Sequence, residues 1–453
     1  MTQSIVIQVG QCGNQVGCRF WDFALREHTL LKDDSANNTS MWNFFRRSQK
    51  SPDNLRARAV MVDMEEGVIN SVLRTPLGNM FSSHQFVTDV SGSGNNWAVG
   101  FHEYGSKYGS EIMERVRREA ELCDCLQGFF LLHSLGGGTG SGLGTAVLEM
   151  LSEEFPGVFS QSRPAFVSAV TPTLTRATLC CYLLFPFYFG HKFAPLNVSA
   201  LMSVCNRILK MGLKTKTTLA SSKDSVLCQK ARPFDQMNNI VANLLLNLTS
   251  SARFSGSLNV DLNDICTNLV PYPRLHFFVS SVTPLYSLLD VGLPPRKLDQ
   301  MFTDAFSGQQ QLVQCDVKRG VQLACALLAR GSVGISDLRR NLDRIREDVR
   351  FVHWNRDGWK TGLCSVAPVG HPYSLLTLSN TTAFHQTLEQ MQSRFLRLYN
   401  RKAHVHHFLQ VDSMEDCHFV DGLSSLSSLS SEYKAMENTD FSKLTVPRLK
   451  VVL

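Results

Sequence analysis

The chain has 453 residues, 43% of them apolar and 19% charged, which is too long for one domain of ordinary size and too apolar for a disordered chain. Its longest apolar run, residues 179–189, holds 11 residues with Pro186 among them, whereas a bilayer helix needs roughly 20, so no membrane span is expected. The net charge of +6 invites a nucleic-acid reading, but eight Lys and Arg fall in an acid-free stretch between Glu154 and Asp224, not on a basic groove with interleaved aromatics, so no nucleic-acid partner is expected.

The N-terminus, MTQSIVIQVG, carries neither a basic n-region nor an apolar h-region, so secretion is not expected. Residues 4–9 read as a short strand ending in Gly10, and residues 15–28 as a helix. Residues 32–54, polar but carrying Trp42, Phe44 and Phe45, read as a mobile surface loop. Residues 58–62 form a second expected strand that ends at Asp63, and residues 85–90 a third, followed by the loop SGSGNN at 91–96. Residues 126–133 form a fourth, followed by GGGTGSG at 136–142 and a helix to about Glu154. Continuous apolar strands alternating with helices predict an α/β fold with a parallel sheet covered on both faces. Residues 166–170 read as a further strand.

Beyond the acid-free stretch, residues 234–249 are largely uncharged and apolar on most sides, as suits a helix buried between domains. Residues 275–280 and 323–329 read as strands of a second α/β domain. Ser336 is placed to cap a helix whose Leu338, Leu342, Ile345 and Val349 fall on one face. Another helix is expected over 387–399, and the serine-rich stretch 424–431 reads equally as helix or linker. The 13 cysteines are odd in number and contain no CxxC pair, so they read as reduced thiols and not as a disulfide framework or zinc site.

Four polar loops follow the C-terminal ends of the expected strands, and in an open parallel sheet that edge binds ligands. The principal loop comprises Gly136, Gly137, Gly138, Thr139, Gly140, Ser141 and Gly142. Its glycines permit close backbone approach, so successive N–H groups can face an anion, and the helix that follows adds its positive end. No Lys-Ser/Thr pair follows, so it is not a P-loop. Gln11, Cys12 and Gln15 stand at a second strand-to-helix turn on the same edge. Asp63 and Glu65 follow the second strand, where a carboxylate pair beside a polyphosphate can hold Mg²⁺ through water.

The words GQCGNQ (10–15), GSGNNW (92–97), CDCLQ (123–127), GGGTGSG (136–142), LNVDL (258–262) and NLVPYPRLHF (268–277) closely resemble the tubulin superfamily. FDQMNNIVANLLLNLTSSARF (234–254) and ISDLRRN (335–341) resemble its epsilon branch more than its alpha or beta branches. The resemblance implies a Rossmann-type nucleotide-binding domain over residues 1–232, a central helix at 233–250, an intermediate α/β domain at 251–388 and a C-terminal helical region at 389–453. It also implies a GTP- or GDP-binding cytoskeletal protein of centrioles, basal bodies and the centrosome, partnered by other tubulin-family subunits or centriolar proteins. Carried over by motif, the phosphates would rest on Gln11, Cys12, Ser93, Asn95 and the 136–142 loop, with Ser134 close by and Asp63 and Glu65 on the magnesium side. Phe234 stands where the family usually has a base-stacking Tyr, and Asn238 matches the Asn that reads guanine. Hydrolysis in the family is composite, one subunit completing the site of the next; here the completing residues would be Asp261 and Asp264, the latter standing where alpha-tubulin has Glu and beta-tubulin has Lys.

Three departures qualify the match. Ala177 and Cys181 fall about where the family has a ribose-contacting Asp and a Glu. Val198 takes the place of a nucleotide-contacting Asn, with Asn197 one position away. Residues 434–453 carry four Lys and Arg against two acids, so the acidic tail of alpha and beta tubulins is missing. Two alternatives stay open: a nucleotide-free adaptor of the same fold, which these substitutions favour, and a soluble hydrolase with a self-contained site, for which no full catalytic set stands beside the glycine loops.

Overall fold

The computed structural model describes residues 2–29, 40–47, 55–156, 165–166, 192–193, 234–254, 256–285, 297–313, 315–369 and 371–438. Ala177, Cys181, Asn197 and Val198 lie outside them, as do residues 167–170 of the expected strand.

Strand β1 (Gln3–Val9) is buried along its whole length and leads into helix α1 (Gly10–Thr29) without a loop. A short antiparallel pair, β2 (Phe45–Arg47) and β3 (Leu55–Ala57), precedes β4 (Ala59–Asp63). Helix α2 (Glu66–Leu73), strand β5 (Phe86–Thr88), helix α3 (Gly105–Glu121), strand β6 (Leu126–Leu132) and helix α4 (Gly144–Glu154) follow. Their sheet has the order β5-β4-β1-β6 and is parallel throughout, with Val9 opposite Val62 and Gln8 opposite Leu132. A parallel sheet is stable only when covered on both faces, and its two faces lie in separate apolar clusters: Ile5, Ile7 and Val9 in one, Val6, Phe130 and Leu132 in the other.

Two-residue strands β7 (Ala165–Phe166) and β8 (Lys192–Phe193) pair in parallel. Helix α5 (Asp235–Leu248) then crosses to the second half of the chain, with Leu244, Leu245, Leu246 and Leu248 all buried. It shares one apolar cluster with Phe20 and Trp21 of α1 and with residues of a second sheet, such as Ala326 and Leu376. After the short helices α6 (Ser250–Arg253) and α7 (Leu262–Leu269), that sheet is built from β9 (Val279–Thr283), β10 (Gln322–Gly331), β11 (Trp359–Cys364) and β12 (Tyr373–Thr381), in the order β11-β10-β12-β9. Helices α8 (Leu298–Ala305) and α9 (Ile335–Arg346) belong to the same half. The last helices are α10 (Phe384–Tyr399), α11 (Val405–Leu409) and α12 (Asp416–Asn438).

A buried ion triad ties the two halves together. Glu27, near the end of α1, is 2.7 Å from Arg253 Nη1 of α6 and 3.0 Å from Arg330 Nη1 of β10, and all three are almost fully buried. Burial alone raises the Glu27 carboxyl, but Arg330 and Arg253 outweigh it and hold the group below its ordinary range.

Several expectations need correction. Helix α1 starts at Gly10 and not at residue 15, because Gly13 and Gly17 let it lie directly on the sheet: a Cβ at Gly13 would collide with the Leu132 carbonyl. The strand expected at 275–280 begins only at Val279, and the Phe277 N–H donates to the Tyr433 hydroxyl at 3.2 Å. Ser336 is not the cap of α9; Gly334 occupies that position and Ser336 lies in the first turn. Phe44 and Phe45 are core residues, not part of a mobile loop, and pack edge-on against Phe20 and Trp21. The serine-rich stretch lies inside α12, where Leu426 and Leu429 are buried. Among the described residues every cysteine is a free thiol, and no helix is long and apolar enough to cross a membrane.

Candidate functional site: a cavity at the strand ends

A cavity of about 190 Å³ opens at the C-terminal edge of the first sheet. Its walls are Gln11, Cys12 and Gln15 after β1, Asp63 at the end of β4 with Glu65 beyond it, Ser93, Gly94 and Asn95 after β5, and Ser134, Gly136, Gly137, Gly138, Thr139 and Gly140 after β6. Phe234, just before α5, completes it. Gly94 also lines the wall, and its sequence signal is the glycine pair of SGSGNN.

Local chemistry explains why the loops converge. Gly10 has φ +73°, and a Cβ on it would stand 2.8 Å from the Gly140 amide nitrogen, so the first turn and the glycine loop meet backbone to backbone. The Ser93 and Thr139 hydroxyls are 3.1 Å apart and join two loops. His133 Nδ1 bonds the Gly140 carbonyl at 2.8 Å, and Ser134 Oγ donates to the Gly136 carbonyl at 2.6 Å. A wide helical turn, Thr139–Leu143, runs straight into α4. The N–H groups at that start have no intrahelical acceptor and point out of the helix end, as they also do at the start of α1. Two helix ends and a glycine loop therefore present donors to one volume, which suits a polyphosphate.

The Trp97 side chain lies behind this edge in a small apolar cluster with Leu135, Phe395, Phe408 and Phe419, so the C-terminal helices buttress the loops of the cavity. Asn96 Nδ2 adds a 2.8 Å bond to the His407 carbonyl.

Asp63 is buried, and its Oδ2 has no partner among the protein atoms. Burial pushes its carboxyl up to about 7, opposed mainly by the Glu65 N–H, which lies 3.4 Å from Oδ1. Glu65 leans over Gly92, where a Cβ would collide with its carboxylate. An orphan buried carboxylate oxygen beside a second carboxylate is an all-oxygen donor set, and it fits a hydrated magnesium ion held partly by phosphates. Among the described residues no group of three or more His, Cys, Asp or Glu is placed to hold a metal unaided, and this includes His404, His406 and His407.

Phe234 adopts a left-handed backbone, φ 72°, which disfavours a Cβ-bearing residue by about 1–2 kcal/mol. One turn on, Asn238 is buried; its Nδ2 donates to Gln15 Oε1 at 3.3 Å while its Oδ1 has no partner. Asn238 is not itself a wall residue, and neither are Ser141 and Gly142. Ser141 Oγ donates back to the Gly137 carbonyl, and the Gly142 N–H donates to the Gly138 carbonyl at 2.7 Å, so both shape the loop from behind.

Asp261 and Asp264 do not reach this cavity. Asp261 caps α7, its Oδ1 accepting from the Leu262 N–H at 2.8 Å, and Asp264 Oδ2 accepts in turn from the Asp261 N–H at 3.4 Å. The Asp264 side chain remains half exposed, 3.7 Å from Lys360 Nζ.

The pattern described as the Tubulin/FtsZ family, GTPase domain, matches residues 3–177, and that described as the Tubulin C-terminal domain matches residues 273–393. The chain is 49% identical to the tubulin epsilon chain of Mus musculus and 48% identical to that of Homo sapiens, each over 480 residues covering 100% of both chains. It is 32% identical to the tubulin beta chain of Porphyra purpurea over 448 residues, covering 96% of this chain and 93% of that one.

Proposed function

This chain belongs to the tubulin family and is a GTP-binding, epsilon-like member of it, and we propose that it serves as a structural subunit of centriole and basal-body microtubules whose GTP is hydrolysed only at a contact with a second subunit. The observation that carries the composite site is the separation of its two halves. The anion-facing loops and Phe234 enclose one cavity, while Asp264 stands outside it with its carboxylate half exposed. Helix α5 has 14 residues and so runs about 21 Å at 1.5 Å per residue, carrying the chain away from the cavity before Asp261 is reached.

In this reading the purine lies against Phe234, and the buried Asn238 offers its edge an acceptor through Oδ1. The triphosphate follows the N–H groups of the 136–142 loop and the start of α1, with Ser93, Asn95 and Ser134 as further polar contacts. Asp63 and Glu65 would hold magnesium through water, and the ion would supply neutralisation of charge on the outer phosphates. Asp264 of a neighbouring subunit would accept a hydrogen bond from the attacking water and orient it, with Asp261 fixing the helix start that presents it. The partner is another tubulin-family subunit or a centriolar protein, and the location a cytoskeletal one at the centrosome.

The test is the dependence of GTP turnover per subunit on protein concentration. The composite site predicts a steep rise as subunits associate. Turnover per subunit that is independent of concentration would show a self-contained hydrolase.

A further inference from the structure

Helix α1 and the start of α5 meet through two polar cross-links beside the cavity. Gln15 Oε1 accepts from Asn238 Nδ2 at 3.3 Å, and Arg19 Nη2 lies 3.1 Å from Asp235 Oδ1. Gln15 and Arg19 are four residues apart on α1 and share one face; Asp235 and Asn238 are three apart on α5 and share the face opposite. Phe234 immediately precedes this second rung, with its backbone left-handed, and is itself a residue of the cavity wall. Its side chain forms no cap to α5. The ion pair with Arg19 is one anchor of the residue that follows the turn. Asp235 sits where the positive end of α5 favours an acid, and Arg19 reaches it from a helix whose opposite end, at Gln11 and Cys12, is itself cavity wall.

We propose that Arg19 is a positioning residue of the nucleotide site: its ion pair with Asp235 holds Phe234 in the left-handed turn that lays the ring against the purine. This rests on the placement of the base at Phe234 made above. Arg19 is not a wall residue and acts through Asp235. The pair is partly exposed, 38% and 24% for the two side chains, so it adds little to global stability. Its removal is expected to leave the fold intact and to loosen the turn that carries the ring.

The test compares displacement of bound GTP by GTP and by inorganic tripolyphosphate, which has no base to stack. Phe234→Ala weakens GTP by about 5- to 150-fold, the usual range for losing one aromatic–base stack. Arg19→Ala reproduces part of that loss, about 3- to 10-fold, leaves tripolyphosphate unchanged, and adds nothing in the Phe234→Ala background. Arg19→Lys retains most of the GTP affinity. The proposal is overturned if Arg19→Ala leaves GTP binding unchanged, weakens tripolyphosphate equally, or adds its full effect to Phe234→Ala. If Phe234→Ala itself is silent, the base placement falls and takes the proposal with it; if only Arg19→Ala is silent, the clamp alone falls.

Discussion

Asn238 donates through Nδ2 to Gln15 Oε1, and that bond leaves its own Oδ1 buried without a partner. A buried acceptor with nothing to accept from is unfavourable until a ligand supplies donors. The Watson–Crick edge of guanine carries N–H donors, which such an acceptor satisfies. Asn238→Ala is therefore expected to weaken guanine-nucleotide binding by about 1–3 kcal/mol, read by titration of the purified protein. Unchanged affinity would mean that the base lies elsewhere.

Gly10 and Gly67 give opposite expectations for the same substitution. At Gly10 the backbone is left-handed and a Cβ would press on the Gly140 amide, so Gly10→Ala meets about 1–2 kcal/mol of backbone strain and displaces the glycine loop. Lower thermal stability and faster nucleotide release are both expected. At Gly67, inside α2, an added Cβ meets nothing within 4 Å, and Gly67→Ala should stabilise by roughly 0.5–1 kcal/mol. A stabilising Gly10→Ala would contradict the loop packing.

Two histidines make folding sensitive to acid. Burial lowers His28 to about 3, with Arg253 adding to it, and burial lowers His133 to about 4. The unfolded chain takes up protons at these positions below about 6.5, while the folded chain keeps both rings neutral, so their contribution to stability is lost as pH falls through 6.5 towards 4. Asp63, raised to about 7, works in the opposite sense and favours the fold as pH falls from 7. The clean measurement is thus a difference. His28 packs on Phe45 and Phe254, so His28→Phe keeps an aromatic there without the titration. Relative to the parent chain, the variant should gain about 2 kcal/mol between pH 7.5 and pH 5 in urea unfolding. A pH-independent difference would show that His28 takes up its proton as readily in the fold as in the unfolded chain.

The triad offers a second stability test. Glu27→Gln leaves Arg253 and Arg330 buried without a compensating charge, which should destabilise by about 3–5 kcal/mol. The more exposed pair Arg26–Asp22 on the same helix is the control; Arg26→Ala should change stability by less than about 0.5 kcal/mol. Equal effects from both variants would contradict the latch between the two halves.

Most of the site was legible because its loops follow apolar strands and are written in residues that do little else. Gly136 to Gly140 of the glycine loop, with Gln11, Cys12, Asp63, Ser93, Asn95 and Phe234, all reach the cavity. The sequence was silent where tertiary contacts decide. Glycines 10 and 13 look like a loop, yet they are what allows α1 to start directly against the sheet. Phe44 and Phe45 sit in a polar surrounding that hides their burial against Phe20 and Trp21. β9 starts at Val279, beyond a tertiary contact that no local pattern shows: the Phe277 N–H donates to the hydroxyl of Tyr433, more than 150 positions later. The Asp261–Asp264 pair reads locally as a helix start, and its local geometry is that of a capping box.

The composite site is tested most directly by mixing two variants. Asp264→Ala keeps the cavity and should bind GTP as the parent does, while losing assembly-dependent hydrolysis. Asn238→Ala keeps Asp264 but binds GTP weakly. Each alone should turn over little GTP, and an equimolar mixture should recover a measurable part of the parent rate, because the Asn238→Ala subunit lends its Asp264 to the nucleotide of its neighbour. A mixture no more active than the sum of its parts, or an Asp264→Ala subunit that loses GTP as a monomer, would contradict the account.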